Sequence, residues 1–150
     1  MDTRKIESDF QMLCTSVTAL DIKNDFISYD ERDTAIDKKI DVSYKIIAIQ
    51  NQEQMERKIG ILDLHTNIIC KGAEQKLTMQ YVLRGFFTVP LDFDEDAFKK
   101  MLAMNGVVSL YSMARASISS ITSQTFSIGT VILPMVNFLR FHEFEENKTE

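Results

Sequence analysis

The chain lacks tryptophan and has only five glycines, two prolines and two cysteines among its 150 residues. With so few glycines it has no Gly-rich phosphate-binding loop and no G-x-S-x-G nucleophile motif. Cys14 and Cys70 lie far apart and outside any CxxC motif, so we expect two reduced, mostly buried thiols. His65 and His142 have no metal-ligand spacing to each other or to the cysteines. We therefore expect neither an enzyme nor a metal or cofactor site.

Long apolar runs and an excess of positive charge are also missing. No run reaches the roughly 18 apolar residues of a membrane helix, so we expect no membrane span. The net charge of −5 argues against a nucleic-acid binder, which would need a basic surface. The first residues, MDTRKIESDFQML, carry acids where a signal peptide would be apolar. A cytoplasmic protein is the expectation.

The length and the apolar content indicate one domain with a substantial core. A chain of 150 residues buries roughly 68–70% of its unfolded surface on folding. Charge is distributed unevenly, because the stretch from Asn105 to Leu139 has one charged residue, Arg115. Such a stretch must be buried in the core, buried against another subunit, or left partly open to bind an apolar partner.

Alternation of apolar and polar residues predicts four β-strands, at about 13–29, 39–50, 57–70 and 76–89. The apolar parity changes after Ala19 in the first strand and after Ile46 in the second, which predicts a bend or bulge in the first and a twist or bulge in the second. Short polar connections at 51–56 and 71–75 predict two hairpins. One packed face and one solvated face are typical of an antiparallel sheet.

Helices are predicted on both sides of these strands. Ile6, Phe10 and Leu13 have helical spacing, which predicts a helical arm over 1–12 before a domain at 13–142 and an acidic tail at 143–150. Acids at 92–96, followed by lysines, predict the start of a short helix that Asn105-Gly106 would end. A long helix is predicted from about 107 to 124.

The long predicted helix has one apolar stripe, and its other faces carry small residues, mostly serine. A helix on the surface of a monomer would usually carry lysine and glutamate there. We therefore expect its own sheet to cover one side and a partner subunit to cover another, with a Ser-rich solvated face as the alternative. The expected interface residues are Ala114, Ser117, Ile118 and Ile121.

The second half of the chain resembles the SecB protein-export chaperones. In GVVSLYSMARASISSITSQTFSIGTVILPMVNF, the residues Tyr111, Ala114, Arg115 and Ile118 fit a family helix pattern, and LPMVNF at 133–138 resembles the L-x-P-V-N-F ending of the family. YVLRGFF at 81–87 and KIDV at 39–42 resemble the fourth and second strands of the family, and the likeness extends over roughly 17–138. It implies an α+β fold: a four-stranded antiparallel sheet with one long C-terminal helix and a short preceding helix, assembled as a dimer of dimers.

This resemblance also implies a function. SecB-like proteins are ATP-independent holdases that bind unfolded polypeptide in apolar grooves. By position, the groove residues would be Phe26, Ile40, Val42, Tyr44, Leu133, Phe138 and Phe141. In protein export the family docks a SecA-type translocase motor through acids, and Asp21 and Asp25 lie where two of them fall. A third family acid is replaced here by Tyr81.

Three functions are therefore open. The first is a general holdase for non-native polypeptides, working as a homotetramer. The second is a dedicated chaperone of one partner, such as an antitoxin, which would bind one sequence tightly. The third is an oligomer that binds a small apolar ligand and ignores unfolded chains.

Overall fold

The computed structural model describes residues 8–27, 35–127 and 129–141. They form a four-stranded antiparallel sheet covered on one face by a long helical segment, as predicted. The strands are β1 (Gln11–Asn24), β2 (Asp37–Gln52), β3 (Arg57–Lys71) and β4 (Lys76–Pro90). Their order in the sheet is β1-β4-β3-β2, so β1 and β2 are the two edges. We call the face under the helix the inner face and the opposite one the outer face.

The two predicted hairpins and both predicted bulges are confirmed. β2 pairs with β3 and β3 with β4, each antiparallel, through the short connections. The pairing register shifts between Val17 and Ala19 in β1, and between Ile46 and Ala48 in β2. A change of apolar parity in a strand therefore marks the place where an extra residue enters the ladder.

The predicted N-terminal helical arm is wrong where the structure describes it. β1 already begins at Gln11, which pairs with Thr88, and residues 8–10 are not helical. The ring of Phe10 stacks on Phe87 at 5.2 Å and meets Phe98 edge-on at 6.2 Å. Sheet pairing and this aromatic contact outweigh the helical spacing of the sequence. Residues 1–7 and the predicted tail at 143–150 lie outside the described residues.

The helical segment consists of α1 (Glu95–Met101), a π-helical turn (Leu102–Gly106) and α2 (Val107–Thr125). The Asp94 carboxylate caps α1 by accepting a hydrogen bond from the backbone N–H of Ala97 at 2.9 Å. The predicted stop at Asn105-Gly106 is wrong, because Gly106 has helical backbone angles. A Cβ on Gly106 would lie 3.0 Å from Leu62 of the sheet, so this glycine permits close packing instead of ending the helix.

The core lies between the inner face and the helical segment. Alternate residues of β3 and β4 point into it, as their sequence patterns predict. Burial of each large apolar side chain there contributes about 1.5–3 kcal/mol to the free energy of folding. The buried apolar residues of these strands are Leu62, Leu64, Ile68, Cys70, Leu77, Met79, Tyr81, Leu83, Phe87 and Val89. No helix in the described parts of the chain is long and apolar enough to cross a membrane.

The two cysteines differ in their surroundings. Cys70 is buried in the core, and burial raises the pKa of its thiol. Cys14 is exposed on β1, which contradicts the expectation of two buried thiols, because β1 is an edge strand. On the outer face, Arg84 donates two hydrogen bonds to Asp63, at 2.7 and 2.8 Å. These two residues are direct partners across β3 and β4, so the pair links the central strands.

We predict that Gly85→Val destabilises the protein because the helix rests directly on this part of the sheet. A Cβ on Gly85 would lie 2.7 Å from Leu110 of α2, and a bulkier side chain would force the helix outward. The expected loss is about 1–3 kcal/mol in the free energy of unfolding, measured by chemical denaturation. Ala19→Val, at an exposed position of β1, is the control and should change it by less than about 0.5 kcal/mol. Equal midpoints for the two variants would contradict this packing.

Candidate functional site

The last described part of the chain, residues 129–141, runs back along α2. We call it the C-terminal segment. Its burial alternates as in a strand: Val131 and Leu133 are fully buried, whereas Ile132 and Pro134 are exposed. It is irregular up to Asn137 and ends in a helical turn at 138–141. The segment therefore lies on the helix as an extended apolar peptide would.

Three side chains of α2 hydrogen-bond the main chain of this segment. The Thr122 hydroxyl accepts from the Val131 N–H at 2.9 Å, and Arg115 Nε donates to the Leu133 carbonyl at 2.8 Å. The Tyr111 hydroxyl donates to the carbonyl of Pro134 at 2.6 Å. The three contacts follow α2 backwards as the segment goes forwards, so the two run antiparallel.

The protonation of Tyr111 suits this role. Burial raises the pKa of its hydroxyl, and the nearby charge of Arg115 opposes that shift. Because the pKa lies above its ordinary value, the hydroxyl remains a donor at neutral pH and throughout the range in which a free tyrosine stays protonated.

A chain of aromatic rings connects α2 to the edge strand β2. Tyr111 meets Phe138 edge-on at 5.3 Å, Phe138 meets Phe141 at 6.1 Å, and Phe141 meets Tyr44 of β2 at 6.0 Å. Ile40 and Val42 share the inner face of β2 with Tyr44 and are half-buried. The structure thus brings five of the seven predicted groove residues to one surface between α2 and β2, which we call the α2/β2 surface. These five are Ile40, Val42, Tyr44, Phe138 and Phe141.

Two predicted groove residues do not line this surface. Phe26 is buried against Phe126, with ring centroids 5.0 Å apart. This contact lies just after the C-terminal end of α2, whereas Tyr111 lies near the start of the helix. Asn24 holds Phe26 there by accepting from its N–H and by donating to the Thr125 carbonyl. Leu133 is fully buried and anchors the C-terminal segment to the core. The prediction that these two residues line the groove is wrong, because both are buried in the core cluster of the described structure.

A second apolar surface lies between β1 and the flank of α2. We call it the β1/α2 groove. It has a volume of about 510 Å³ and is lined by Val17, Leu20, Tyr81, Ala116, Ser117, Ser120 and Ile121. Val17 and Leu20 lie on the inner face and yet are each 48% exposed, because α2 does not reach over β1. Among the described residues the buried Tyr81 hydroxyl finds no hydrogen-bond partner, an arrangement that is costly unless something else supplies one.

The expected interface residues divide between this groove and the core. Ser117 and Ile121 line the groove, whereas Ala114 and Ile118 are fully buried on the side of α2 that packs against the core. The prediction is therefore wrong for the latter two, since the apolar stripe of α2 faces its own sheet. Elsewhere on the helix, Ser112 and Ser123 donate to backbone carbonyls of α2 itself, at 3.0 and 2.7 Å. Their side chains therefore place no demand on a neighbouring surface.

The predicted docking acids are exposed. Asp21 lies on the outer face, where it lines a shallow depression together with Lys23 and Gln80. Asp25 follows the end of β1, and its N–H donates to the Lys76 carbonyl. Lys23 thus lies near Asp21, whereas the contact between Asp25 and Lys76 is one of backbone atoms. Over the ranges that the structure describes, no group of three or more His, Cys, Asp or Glu residues could hold a metal ion.

The reasoning from sequence missed the backbone-binding side chains of α2. Arg115 stands out as the single charge in the stretch from Asn105 to Leu139, and this isolation was a usable signal. A lone cation in an apolar region needs buried acceptors, and the carbonyls of an irregular segment provide them. Thr122 gave no comparable signal, because threonine on a Ser-rich helix is unremarkable in sequence.

No protein-family model matches the chain, and no curated protein matches it in sequence. Among solved structures, the chain is similar to the Rv1957 SecB-like chaperone of Mycobacterium tuberculosis, in complex with a ChAD peptide from the Rv1956 HigA1 antitoxin. The TM-score is 0.64 at 10% identity, over 85% of this chain and 91% of that one. A protein of unknown function from Streptococcus agalactiae gives 0.47 at 10% identity, over 84% and 97%, which is too distant for argument. The first match confirms the predicted SecB-like fold.

Proposed function

We propose that the protein is an ATP-independent chaperone that holds non-native polypeptide on the α2/β2 surface. The observation that carries this proposal is the extended apolar C-terminal segment, which is already held on α2 by hydrogen bonds between its main chain and three α2 side chains. A surface that binds one extended peptide through backbone groups and rings has the chemistry to bind others. The fold likeness supports the proposal, because the similar chaperone binds a peptide of an antitoxin.

Burial of apolar surface can hold many different sequences, because this interaction has no preferred direction. Each Å² of apolar area that leaves water contributes about 25 cal/mol, whatever residue supplies it. Ile40, Val42 and Tyr44 offer such apolar area on the α2/β2 surface, since each of them is only half-buried. Few fixed side-chain contacts mean that few sequences are rejected.

A dedicated chaperone for one partner is the second candidate. The antitoxin peptide in the similar structure is the observation that favours it. On that reading, one sequence fills the α2/β2 surface tightly and general clients bind weakly. Docking of a translocase motor through Asp21 and Asp25, a role in protein export and a cytoplasmic location stay predictions.

We also propose that the protein assembles as a homotetramer and that the β1/α2 groove is one of its contact surfaces. The groove offers exposed Val17 and Leu20 beside small side chains of α2, and β1 is an unpaired sheet edge. A second copy would cover this apolar area and could supply a partner for the Tyr81 hydroxyl. Several α2/β2 surfaces on one assembly would then bind one client together.

Light scattering of the purified protein, with and without a permanently unfolded client, tests both proposals. We expect a tetramer whose mass increases by that of the client. A tetramer that ignores general clients but binds one antitoxin-type sequence would favour the dedicated chaperone. A tetramer that binds no polypeptide would contradict the chaperone proposal and favour a small apolar ligand, and a monomer would contradict the assembly.

A further inference from the structure

The α2/β2 surface is occupied by the chain itself. The C-terminal segment contributes the main-chain groups that Tyr111, Arg115 and Thr122 bind, and it also contributes two of the rings, Phe138 and Phe141. A client that bound to the same three side chains of α2 would have to remove the segment first. The segment is therefore either a fixed wall of the site or a competitor for it, and the two roles predict opposite effects of weakening it.

We propose that the C-terminal segment is a self-bound peptide, and that a client binds by displacing it and making the same main-chain hydrogen bonds with α2: two carbonyls accept from Tyr111 and Arg115, and one N–H donates to Thr122. This inference rests on the proposed chaperone function. It assigns Tyr111, Arg115 and Thr122 as the side chains that bind the main chain of the client.

These three side chains fit many extended peptides because they bind main-chain groups, which do not depend on the side chain of the ligand. Arg115 and Tyr111 bind carbonyl oxygens, and Thr122 binds an N–H. The carbonyl that Tyr111 binds belongs to a proline, so this position does not need an N–H from the ligand. Every unfolded chain can therefore replace the segment at these three contacts.

The side chains of the segment indicate which peptides would fit best. Val131 and Leu133 are buried, whereas Ile132 and Pro134 between and after them are exposed. The favoured ligand is thus an extended segment with branched aliphatic residues at alternate positions, a pattern that amphipathic strands expose before they fold. The interposed residue is free to vary.

Several features make the segment replaceable. It belongs to no strand or long helix, and it begins at Gly129, whose φ of +133° is a backbone conformation that few other residues adopt. Met135 and Leu139 are 83% and 67% exposed, so much of its apolar surface is not used in holding it. When a competing segment fills a site, the apparent affinity for a ligand falls by the fraction of molecules in which the site is open.

Phe141→Ser tests the inference, because it removes the ring contacts to Tyr44 and Phe138 while Val131, Leu133 and the three hydrogen-bonding side chains of α2 remain. The probe is a fluorescent synthetic peptide with the sequence of residues 130–141, TVILPMVNFLRF, read by anisotropy. We expect Phe141→Ser to bind it about tenfold more tightly than the wild type, because a larger fraction of sites is open. Leu139→Ser, which shortens an exposed apolar side chain of the same turn, is the control and should bind like the wild type.

Hydrogen exchange provides a second measurement that does not depend on a substitution. The Val131 N–H donates to the buried Thr122 hydroxyl, and we expect it to exchange faster when a permanently unfolded client is bound. Weaker binding by Phe141→Ser, or unchanged exchange at Val131 in the complex, would show that the segment is a fixed wall and overturn the inference. In that case the chaperone proposal stands, whereas failure of every form to bind the client and the peptide would overturn both.

Discussion

A Val42→Asp substitution is expected to abolish client binding while the sheet and helix remain folded. Val42 is half-buried on the inner face of β2, two residues before Tyr44, whose ring contacts Phe141. A client covering this position would have to desolvate the new carboxylate without a partner, which costs several kcal/mol. A loss of about 3 kcal/mol already weakens binding more than a hundredfold. Anisotropy with a labelled unfolded client measures the affinity, and circular dichroism checks the fold.

The control for this substitution is Ser43→Asp. It adds the same charge to the same strand, but Ser43 is exposed on the outer face. We expect wild-type affinity, since a charge there stays in water and the α2/β2 surface is unchanged. Equal weakening by both substitutions would mean that the client responds to net charge and not to this surface. Unfolding of Val42→Asp alone would mean that Val42 serves the core.

The sheet could be predicted because the central strands β3 and β4 each have one buried face. Residues two apart in β4, such as Leu77 and Met79, are buried on the same face, and a shift of one residue would expose them. Period-2 alternation therefore identifies both the strand and its inner face. A bulge shifts that alternation by one residue, which is why the parity changes near Ala19 and Ile46 could be recognised. These signals are local, and a single sequence contains them.

Features decided by distant contacts could not be predicted in the same way. Gly106 has the local signature of a helix end, and only its approach to Leu62 shows that it serves close packing within a continuous helical segment. Phe10 has helical spacing with its neighbours, yet its ring belongs to a cluster with Phe87 and Phe98. Sequence spacing shows that a strand or helix has an apolar face, but not which distant element covers that face.

The candidate site could be predicted only in part, because some of its contacts join distant parts of the chain. The alternation in β2 and the SecB-like ending identified residues that meet at the α2/β2 surface, including Tyr44 and Phe141. The direction of the C-terminal segment along α2, and hence its bonds to Arg115 and Thr122, follows no period in the sequence. Occupation of the site by the chain itself became visible only once the segment was placed against the helix.

A Ser117→Arg substitution is expected to split the proposed tetramer. Ser117 is half-buried and lines the β1/α2 groove with Val17 and Tyr81. A second copy packed into this groove would bury the guanidinium without an acid to pair with it, at a cost of several kcal/mol. The mass from light scattering should fall at micromolar concentration, and client affinity should fall with it because fewer binding surfaces act together.

Ser123→Arg is the matched control, because it adds the same side chain to the same helix at an exposed position outside the lining of the groove. We expect it to keep the wild-type mass. A smaller assembly for both variants would mean that a broader part of α2 forms the contact. An unchanged mass for Ser117→Arg would exclude the groove as a contact surface. The exposed Val17 and Leu20, and the unpaired hydroxyl of Tyr81, would then need another explanation than a second copy of the chain.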